Sequence, residues 1–579
     1  MCGIAGIASF SGLSGQTSTL LHDMIAQLHH RGPDGTGFYS DNQVGLAHAR
    51  LSIIDLAGGW QPIHNEDQTI QVIFNGEIFN YVELREELLG YGHQFYTHSD
   101  TEVIVHLYEQ FGDDFVNRLN GQFAIALWDT RTQRLVLCRD RVGITPLFYT
   151  QDGDRLVFAS EIKAILPALR AKPAIDLNAL DQLMTFWAPL SPNTLFEGVF
   201  ELSPGCMAVL DAKGFRVSRY WDWHFPLDKS GYHSADEDTL ALQLRELLID
   251  ATRIRLRSDV PVGAYLSGGL DSSVLVALIH HFSDAKLRTF SIGFDAESLD
   301  ETGYQQMMIR QVNAEHSRIQ CSEADVAEHF FQTIWHTEAP VLRTAPVPMR
   351  MLSGLVRQQG YRVVLTGEGS DEVLGGYDIF KETKIRQFWA ANKDSGFRPA
   401  LLKKLYPYLD VSPGRAQEYL RNFFGSNLDE PNLPYFSHVP RWTTTAKCKE
   451  FFADDMKATL RDNAIDLLAQ SLPQELPRWH PFNRAQYIES KTLMGGYLLS
   501  SQGDRMLMAN SVEGRFPFLD HRVIEFANAL PPKLKMKALN EKYLLKKSMG
   551  EFLPRDIVNR HKQPYRAPDI PSFFSAKTP

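Results

Sequence analysis

The stretch Tyr265-Leu266-Ser267-Gly268-Gly269-Leu270-Asp271-Ser272-Ser273-Val274-Leu275 constrains the chain most. It reads as a strand end, a Gly-rich turn and a helix start. Val260 to Leu266 is apolar apart from Pro261 at the strand entry, and Val274, Leu275, Ala277, Leu278 and Ile279 recur at helical spacing. Ser267 to Gly269 lets backbone N–H groups approach an anion with no Cβ in the way. The helix start at Ser272–Ser273 adds free N–H groups and the positive dipole end. Asp271 sets one carboxylate beside that anion hole, where it would repel phosphate unless Mg²⁺ sits between them. The loop therefore predicts a Mg–nucleotide site.

It is not Gly-x-x-x-x-Gly-Lys-Ser/Thr, because it has no Lys and a different residue order. The order Ser-Gly-Gly-x-Asp-Ser-Ser resembles the pyrophosphate loop of ATP pyrophosphatases, which cleave between the α- and β-phosphates and adenylate an acceptor. After the loop, strands and helices alternate, as in a parallel α/β sheet. Leu287 to Phe294 reads as a strand whose end, at Ile292, faces adenine. Tyr361 to Thr366 reads as another, running into Gly367-Glu368-Gly369-Ser370-Asp371-Glu372. Ligands bind at such strand C-terminal ends. Three carboxylates in one Gly-rich turn repel one another unless a cation or a proton-transfer role offsets the cost.

The chain opens Met1-Cys2-Gly3-Ile4-Ala5-Gly6-Ile7. Removal of Met1 would leave a cysteine with both a thiol and a free α-amine, and an α-amine of pKa about 8 can act as an intramolecular base. Leu46 to Ile53 alternates like a strand and carries Arg50. Asn75-Gly76 is a turn whose side-chain amide and N–H suit an oxyanion hole. Ser99 is expected to cap a helix with Asp100 in its first turn. An Arg and an Asp can grip an amino acid's carboxylate and ammonium.

These residues resemble the class II glutamine amidotransferase domain, an N-terminal-nucleophile hydrolase. The resemblance implies Cys2 as nucleophile, Asn75 and Gly76 as oxyanion hole, and Arg50, Asn75, Glu77 and Asp100 as glutamine-binding residues. It also implies two stacked antiparallel sheets flanked by helices. The second half resembles the synthetase domain of glutamine-dependent asparagine synthetases. That resemblance implies Asp271 and Asp371 as Mg–pyrophosphate carboxylates, Glu368 as the group handling the ammonia proton, and Lys562 at the phosphorus. ATP would contact Leu266, Ser267, Gly268, Gly269, Asp271, Ser272, Ser273, Ile292, Thr366 and Gly367; the acceptor would meet Arg343, Glu372 and Tyr377. Asp504-Arg505-Met506 and Glu513 to Asp520 also match the family.

The expected architecture is thus two domains, mixing α+β and α/β folds. A glutaminase sandwich of antiparallel sheets with helices spans 1–220, a linker spans 221–237, and a parallel-sheet α/β adenylating domain with added helices spans 238–579. A length of 579 residues is too great for one core. A net charge of −10 and the lack of a long basic run argue against nucleic acid as a partner. Five scattered cysteines argue against a disulfide framework and for a reducing cytoplasm. No run reaches membrane-spanning length, and the first residues do not read as a secretory signal.

The expected partners are glutamine, ATP with Mg²⁺, and a carboxylate acceptor, with a homodimer left open. Aspartate is the default acceptor. Around Arg343, however, Val341 and Leu342 stand where the aspartate-using pattern has hydroxyls, so another carboxylate in a specialised pathway is the alternative. A non-catalytic regulatory relative is a further reading, opposed by the intact Cys2, Asp271, Glu368, Asp371 and Lys562. The segment from Lys381 to Phe451 reads as either a docking surface or an extra helical layer.

Overall fold

A computed structural model describes residues 1–406, 415–460 and 463–574. The first half holds twelve strands: β1 (Gly3–Ser9), β2 (Gly35–Ser40), β3 (Val44–Arg50), β4 (Ile63–His64), β5 (Ile70–Ile78), β6 (Gly121–Asp129), β7 (Arg134–Arg139), β8 (Phe148–Asp152), β9 (Arg155–Ala159), β10 (Val199–Glu201), β11 (Cys206–Asp211) and β12 (Gly214–Arg219). They form two antiparallel sheets, ordered β10-β8-β9-β1-β3-β2 and β12-β11-β7-β6-β5-β4.

The inner strands β1, β6 and β7 look largely apolar because both faces are covered, each alternating between two cores, whereas the edge strands β2 and β12 are open to solvent. Ile4 and Ala8 of β1 join Ile73, Ala124, Ala126 and Trp128 between the sheets. Ala5 and Ile7 turn outward onto Leu21, Met24 and Ile25 of the helix Thr17–Ala26. On the opposite side Val72, Phe74, Ile125 and Leu127 pack on Val103, Ile104 and Leu107 of the helix Glu102–Phe111. The result is helix, sheet, sheet, helix.

The second half carries a five-stranded parallel sheet of β13 (Val262–Tyr265), β14 (Arg288–Phe294), β15 (Glu315–Cys321), β16 (Val363–Leu365) and β17 (Glu513–Arg515), ordered β15-β14-β13-β16-β17. The chain winds from β13 to β15 on one side, then crosses to β16 on the other. The switch point therefore lies between β13 and β16, where a crevice opens outside the strand ends. The loops Leu266–Gly269 and Thr366–Gly369 leave those two strands side by side.

Two local expectations change, and a reading that offered two alternatives narrows to one. The helix expected to be capped by Ser99 begins at Glu102, and Ser99 Oγ accepts from Thr101 N at 3.2 Å before it. Asp100 is thus on the loop, free of helical constraint. The stretch 221–237 is not a loose tether: Trp223 and Phe225 are buried in the second core with Leu240 and Trp479. The described part of 381–451 is a helical layer. There Ile385, Trp389, Leu402, Phe424 and Phe436 cluster, and buried Arg386 donates to the carbonyls of Phe424, Ser426 and Phe436. Residues 407–414 of that segment lie outside the described residues.

Candidate active sites and their connection

Cys2 sits at the start of β1, under the end of β5. Its N–H donates to Asn75 Oδ1 at 2.7 Å, and its Sγ accepts from Leu51 N at 3.3 Å. Asn75 Nδ2 donates to Ser160 Oγ at 3.3 Å, and Ser160 Oγ also accepts from Ile4 N at 2.9 Å. The expected turn at Asn75-Gly76 is instead the interior of β5, paired with Ala124 and Phe123 of β6; Gly76 holds a φ of +152°, and a Cβ there would lie 2.0 Å from the Gln122 carbonyl, so this close strand pairing needs glycine. Burial pushes the Cys2 thiol up, against the pull of the Met1 ammonium. That ammonium pairs with buried Glu513, which Arg515 also holds. With Met1 attached, the Cys2 nitrogen is a peptide N–H and cannot serve as the amine base.

Arg50 lies beside this thiol, its guanidinium held by the carbonyls of Asp55 and Leu56 and 4.8 Å from the Trp60 ring centre. Glu77 and Asp100 are both buried. Asp100 Oδ2 accepts from Ile78 N at 2.9 Å, and Glu77 Oε2 faces Arg515 at 3.2 Å. Glu77 Oε1 has no hydrogen-bond partner. Burial raises both carboxyls, Asp100 to about 6 and Glu77 well above the ordinary range. Two buried carboxyls held this high suit a cation that arrives with the substrate.

The second site is a cavity of about 550 Å³ at the β13–β16 switch point. Leu266, Ser267, Gly269, Asp271, Ser272, Ile292, Thr366 and Gly367 line it, as do Arg343, Glu368, Asp371, Tyr377 and Lys562. Three expected residues do not line it. Ser273 is fully buried on the other face of the helix turn that presents Asp271 and Ser272. Gly268 takes φ +80° and backs onto Tyr304 and Gln305. Glu372 is buried beneath the turn and pushed up to about 8 by burial and by Asp371.

Charge is concentrated at one end of the cavity. Lys542 Nζ lies 2.5 Å from Asp271 and 2.7 Å from Asp371; Lys562 Nζ lies 2.6 Å from Asp371 and 3.4 Å from Asp271. Burial alone would raise the Asp271 carboxyl, but the two lysines hold it at about 2. The same carboxylates raise Lys562 against its burial. Glu368, nearby, is pushed up to about 7 by burial. Gly376 is required here, since a Cβ would come 2.0 Å from Asp371 Oδ1 and 2.1 Å from Lys542 Cε. Sequence reading missed Lys542: it is one of several lysines around Tyr543-Leu544-Leu545, and nothing in that stretch sets it apart from Lys546 and Lys547.

Two facing carboxylates beside a Gly-rich anion loop fit Mg²⁺, which takes one or two carboxylates and completes its shell from phosphate and water. Asp271 and Asp371 would hold it.

A helical segment over 481–508 links the sites. Glu489, Thr492 and Gln502 line the cavity, and Asp504 at its far end pairs with Arg31 Nη1 at 2.8 Å. Arg31 Nε in turn donates to the Cys2 carbonyl at 2.9 Å. The residues 490–504 are π-helical, a geometry frequent at functional sites.

Comparison with known proteins agrees with this geometry. Residues 1–221 match the glutamine amidotransferase domain family and residues 243–577 match the asparagine synthase family. Glutamine-hydrolyzing asparagine synthetase 1 of Bacillus subtilis is 33% identical, covering 98% of this chain and 87% of its own. The amidase chry2 of Gibberella zeae is 32% identical, covering 98% of this chain and 89% of its own. Among solved structures, the allosteric regulatory enzyme of purine biosynthesis aligns at TM-score 0.30 and 17% identity, over 55% of this chain and 80% of that one. Near-full-length identity and two domain matches together make the chain a member of the asparagine synthetase family of glutamine-hydrolysing ligases.

Proposed function

We propose that the chain converts aspartate to asparagine, using glutamine as amide donor and ATP as activator, with a catalytic boundary falling within 221–237. The observation that carries the adenylating step is the pair Asp271 and Asp371 facing two lysines at the sheet switch point. Such a site already matches both charges of a metal–pyrophosphate: the ammonium groups can turn to the phosphate and the carboxylates to the cation.

In the first half, the Cys2 thiolate attacks the glutamine side-chain carbonyl, the C–N bond breaks and ammonia leaves. Once Met1 is removed, the freed amine takes the thiol proton. Asn75 and the Gly76 N–H stabilise the oxyanion, while Arg50 holds the substrate carboxylate and Glu77 and Asp100 its ammonium. Water then releases glutamate from the thioester. In the second half, an acceptor carboxylate oxygen attacks the α-phosphorus of ATP, and the bond to the β-phosphate breaks. Lys562 and Lys542 stabilise the charge that develops. Mg²⁺, when bound, neutralises the departing pyrophosphate. Ammonia attacks the acyl carbon, AMP leaves, and Glu368 takes a proton from the nitrogen. A carboxyl poised near 7 is suited to that transfer. Five cysteines scattered along the sequence without a Cys-x-x-Cys pair suit a reducing, cytoplasmic setting. No helix among the described residues is long and apolar enough to cross a membrane.

Aspartate is supported by Arg343 in the cavity wall and by the Bacillus relative. Leu342 turns away from the cavity onto the cluster of Ala179, Leu183 and Leu195, so its apolar character does not weigh against aspartate. A second reading is favoured by one observation. Arg343 lies 4.4 Å from the Trp187 ring centre, and Phe186, Trp187 and Tyr497 give that side of the cavity an aromatic wall that a larger acceptor would fill. The amidase relative suits that reading. Pyrophosphate release with Mg-ATP and glutamine, measured over a panel of carboxylates, decides between them. Signal with aspartate supports the first; silence with aspartate and signal with an aryl or extended carboxylate supports the second.

A further inference from the structure

Away from both sites, on the outer side of the first half, Glu66, His93, His106 and Glu109 converge. His106 and Glu109 come from one face of the helix Glu102–Phe111 at i and i+3. His93 comes from the loop before it, and Glu66 from the turn between β4 and β5. Their ligand atoms all lie within 4.8 Å of one another. We propose that these four residues form a tetrahedral divalent-metal site, of the two-histidine, two-carboxylate kind that takes zinc.

The spacing carries the argument. His93 Nδ1 lies 3.4 Å from Glu66 Oε1 and 3.8 Å from Glu109 Oε2. His106 Nδ1 lies 3.4 Å from Glu66 Oε2 and 3.5 Å from Glu109 Oε2. Ligands around zinc at about 2.0–2.1 Å stand about 3.3–3.4 Å apart at the edges of a tetrahedron; three of these separations are close to that, and Glu66, which faces each histidine with a different oxygen, would turn one of them to the ion. Hydrogen bonds would instead draw such atoms to about 2.7–3.2 Å. Independently, His106 is fully buried and neither ring nitrogen has a hydrogen-bond partner; Glu109 Oε2 has none either. With Glu102 behind Nε2, an Nδ1 that faces two carboxylates at ion-pair distance without a hydrogen bond to either leaves room for an ion between them.

The surroundings are those of a supported metal site. Glu109 Oε1 accepts from Asn65 Nδ2 at 2.8 Å, leaving Oε2 for the ion. Glu66 Oε1 accepts from Gln94 N at 2.8 Å. Behind His106, Glu102 Oε1 stands 3.6 Å from Nε2, the carboxylate–histidine–metal order. Glu102 is itself fixed by the N–H groups of Tyr96 and Thr97, both at 2.8 Å. Glu66, at 35% side-chain exposure, gives the ion its way in. The site ties the turn at Glu66 and the loop at His93 to the helix, and that loop runs on to Asp100. Its role is to anchor the loop that presents Asp100.

The test uses full-length protein, stripped with chelator and titrated with Zn²⁺ against a chromophoric chelator. One equivalent bound, with affinity reduced about tenfold or more in His93→Ala and Glu66→Gln and unchanged in Cys2→Ala, is the expected result. X-ray absorption should show nitrogen and oxygen at about 2.0–2.1 Å and no sulfur at about 2.3 Å. Glu66→Gln is nearly isosteric and partly exposed, so matching circular dichroism in that variant separates lost ligation from lost fold. Absence of a stoichiometric zinc, or zinc lost in Cys2→Ala and kept in Glu66→Gln, overturns the proposal.

Discussion

At the scale of single residues, Asp100 is where burial bears most directly on the proposed glutamine site. Its carboxyl is raised to about 6, chiefly by desolvation. A raised acid contributes stability below its unfolded pKa and loses it as pH rises through about 6, so the ligand-free protein gives up stability over that window. An incoming ammonium restores the balance by pairing with the ionised form. The glutamine KM should therefore rise about tenfold per pH unit below about 6, and Asp100→Asn should raise KM and flatten that dependence. Steady-state glutaminase rates from pH 5 to 8 check both. Cys2, Asn75, Gly76, Asp100, Asp271 and Glu368 stand out in the sequence because each lies in a short motif whose chemistry is local. Lys542, Ser160 and the Met1–Glu513 pair were not recognised as parts of a site, because what defines each is a residue hundreds of positions away or a turn of no special sequence.

At the scale of elements, the strands were readable in kind, and the apolar run of the inner ones has its reason in the layers that cover both faces. The alternation of β1 between Ile4 and Ala5 carries no polar signal, since each side meets a core. The segment 481–508 was legible only at its end, through Asp504-Arg505-Met506. Its middle holds Gly495, Gly496 and Gly503, which local propensity reads as breakers. Gly496 is explained by packing: a Cβ there would lie 2.4 Å from Ala188 Cβ. The element matters because Asp504 and Glu161 hold Arg31, and Arg31 holds the Cys2 carbonyl. Asp504→Ala leaves a buried guanidinium short of a partner. It should cost about 3 kcal/mol in denaturant unfolding and lower the glutaminase kcat, with ammonia-dependent synthesis less affected.

At the scale of the molecule, the two halves share buried polar contacts. Asn120 Nδ2 donates to Asp520 at 3.0 Å, Gln122 Nε2 to the Gly514 carbonyl at 2.7 Å, and Asp259 N to the Ile53 carbonyl at 3.0 Å. Arg505 reaches both Glu161 and Glu338, and Glu338 accepts from Ile162 N at 3.0 Å. Separating the halves strips these buried groups of their partners across the seam, so a 1–220 fragment should melt well below the full chain and bind a hydrophobic dye. Calorimetry of the fragment beside the whole protein reads this. The organisation in two halves was legible from the pairing of an N-terminal cysteine motif with a pyrophosphate loop; the extent of their contact was not, since it rests on side chains scattered from Arg31 to Asp520.

The central claim is that one chain divides the work, with ammonia made at Cys2 and used beside Glu368. Amide formation by Cys2→Ala, assayed in parallel with glutamine and with added ammonium, tests it most directly. The account predicts that glutamine-dependent synthesis falls to background while ammonium-dependent synthesis and pyrophosphate release stay within about twofold of the parent protein. Equal loss of both activities, or persistence of the glutamine-dependent one, would contradict it.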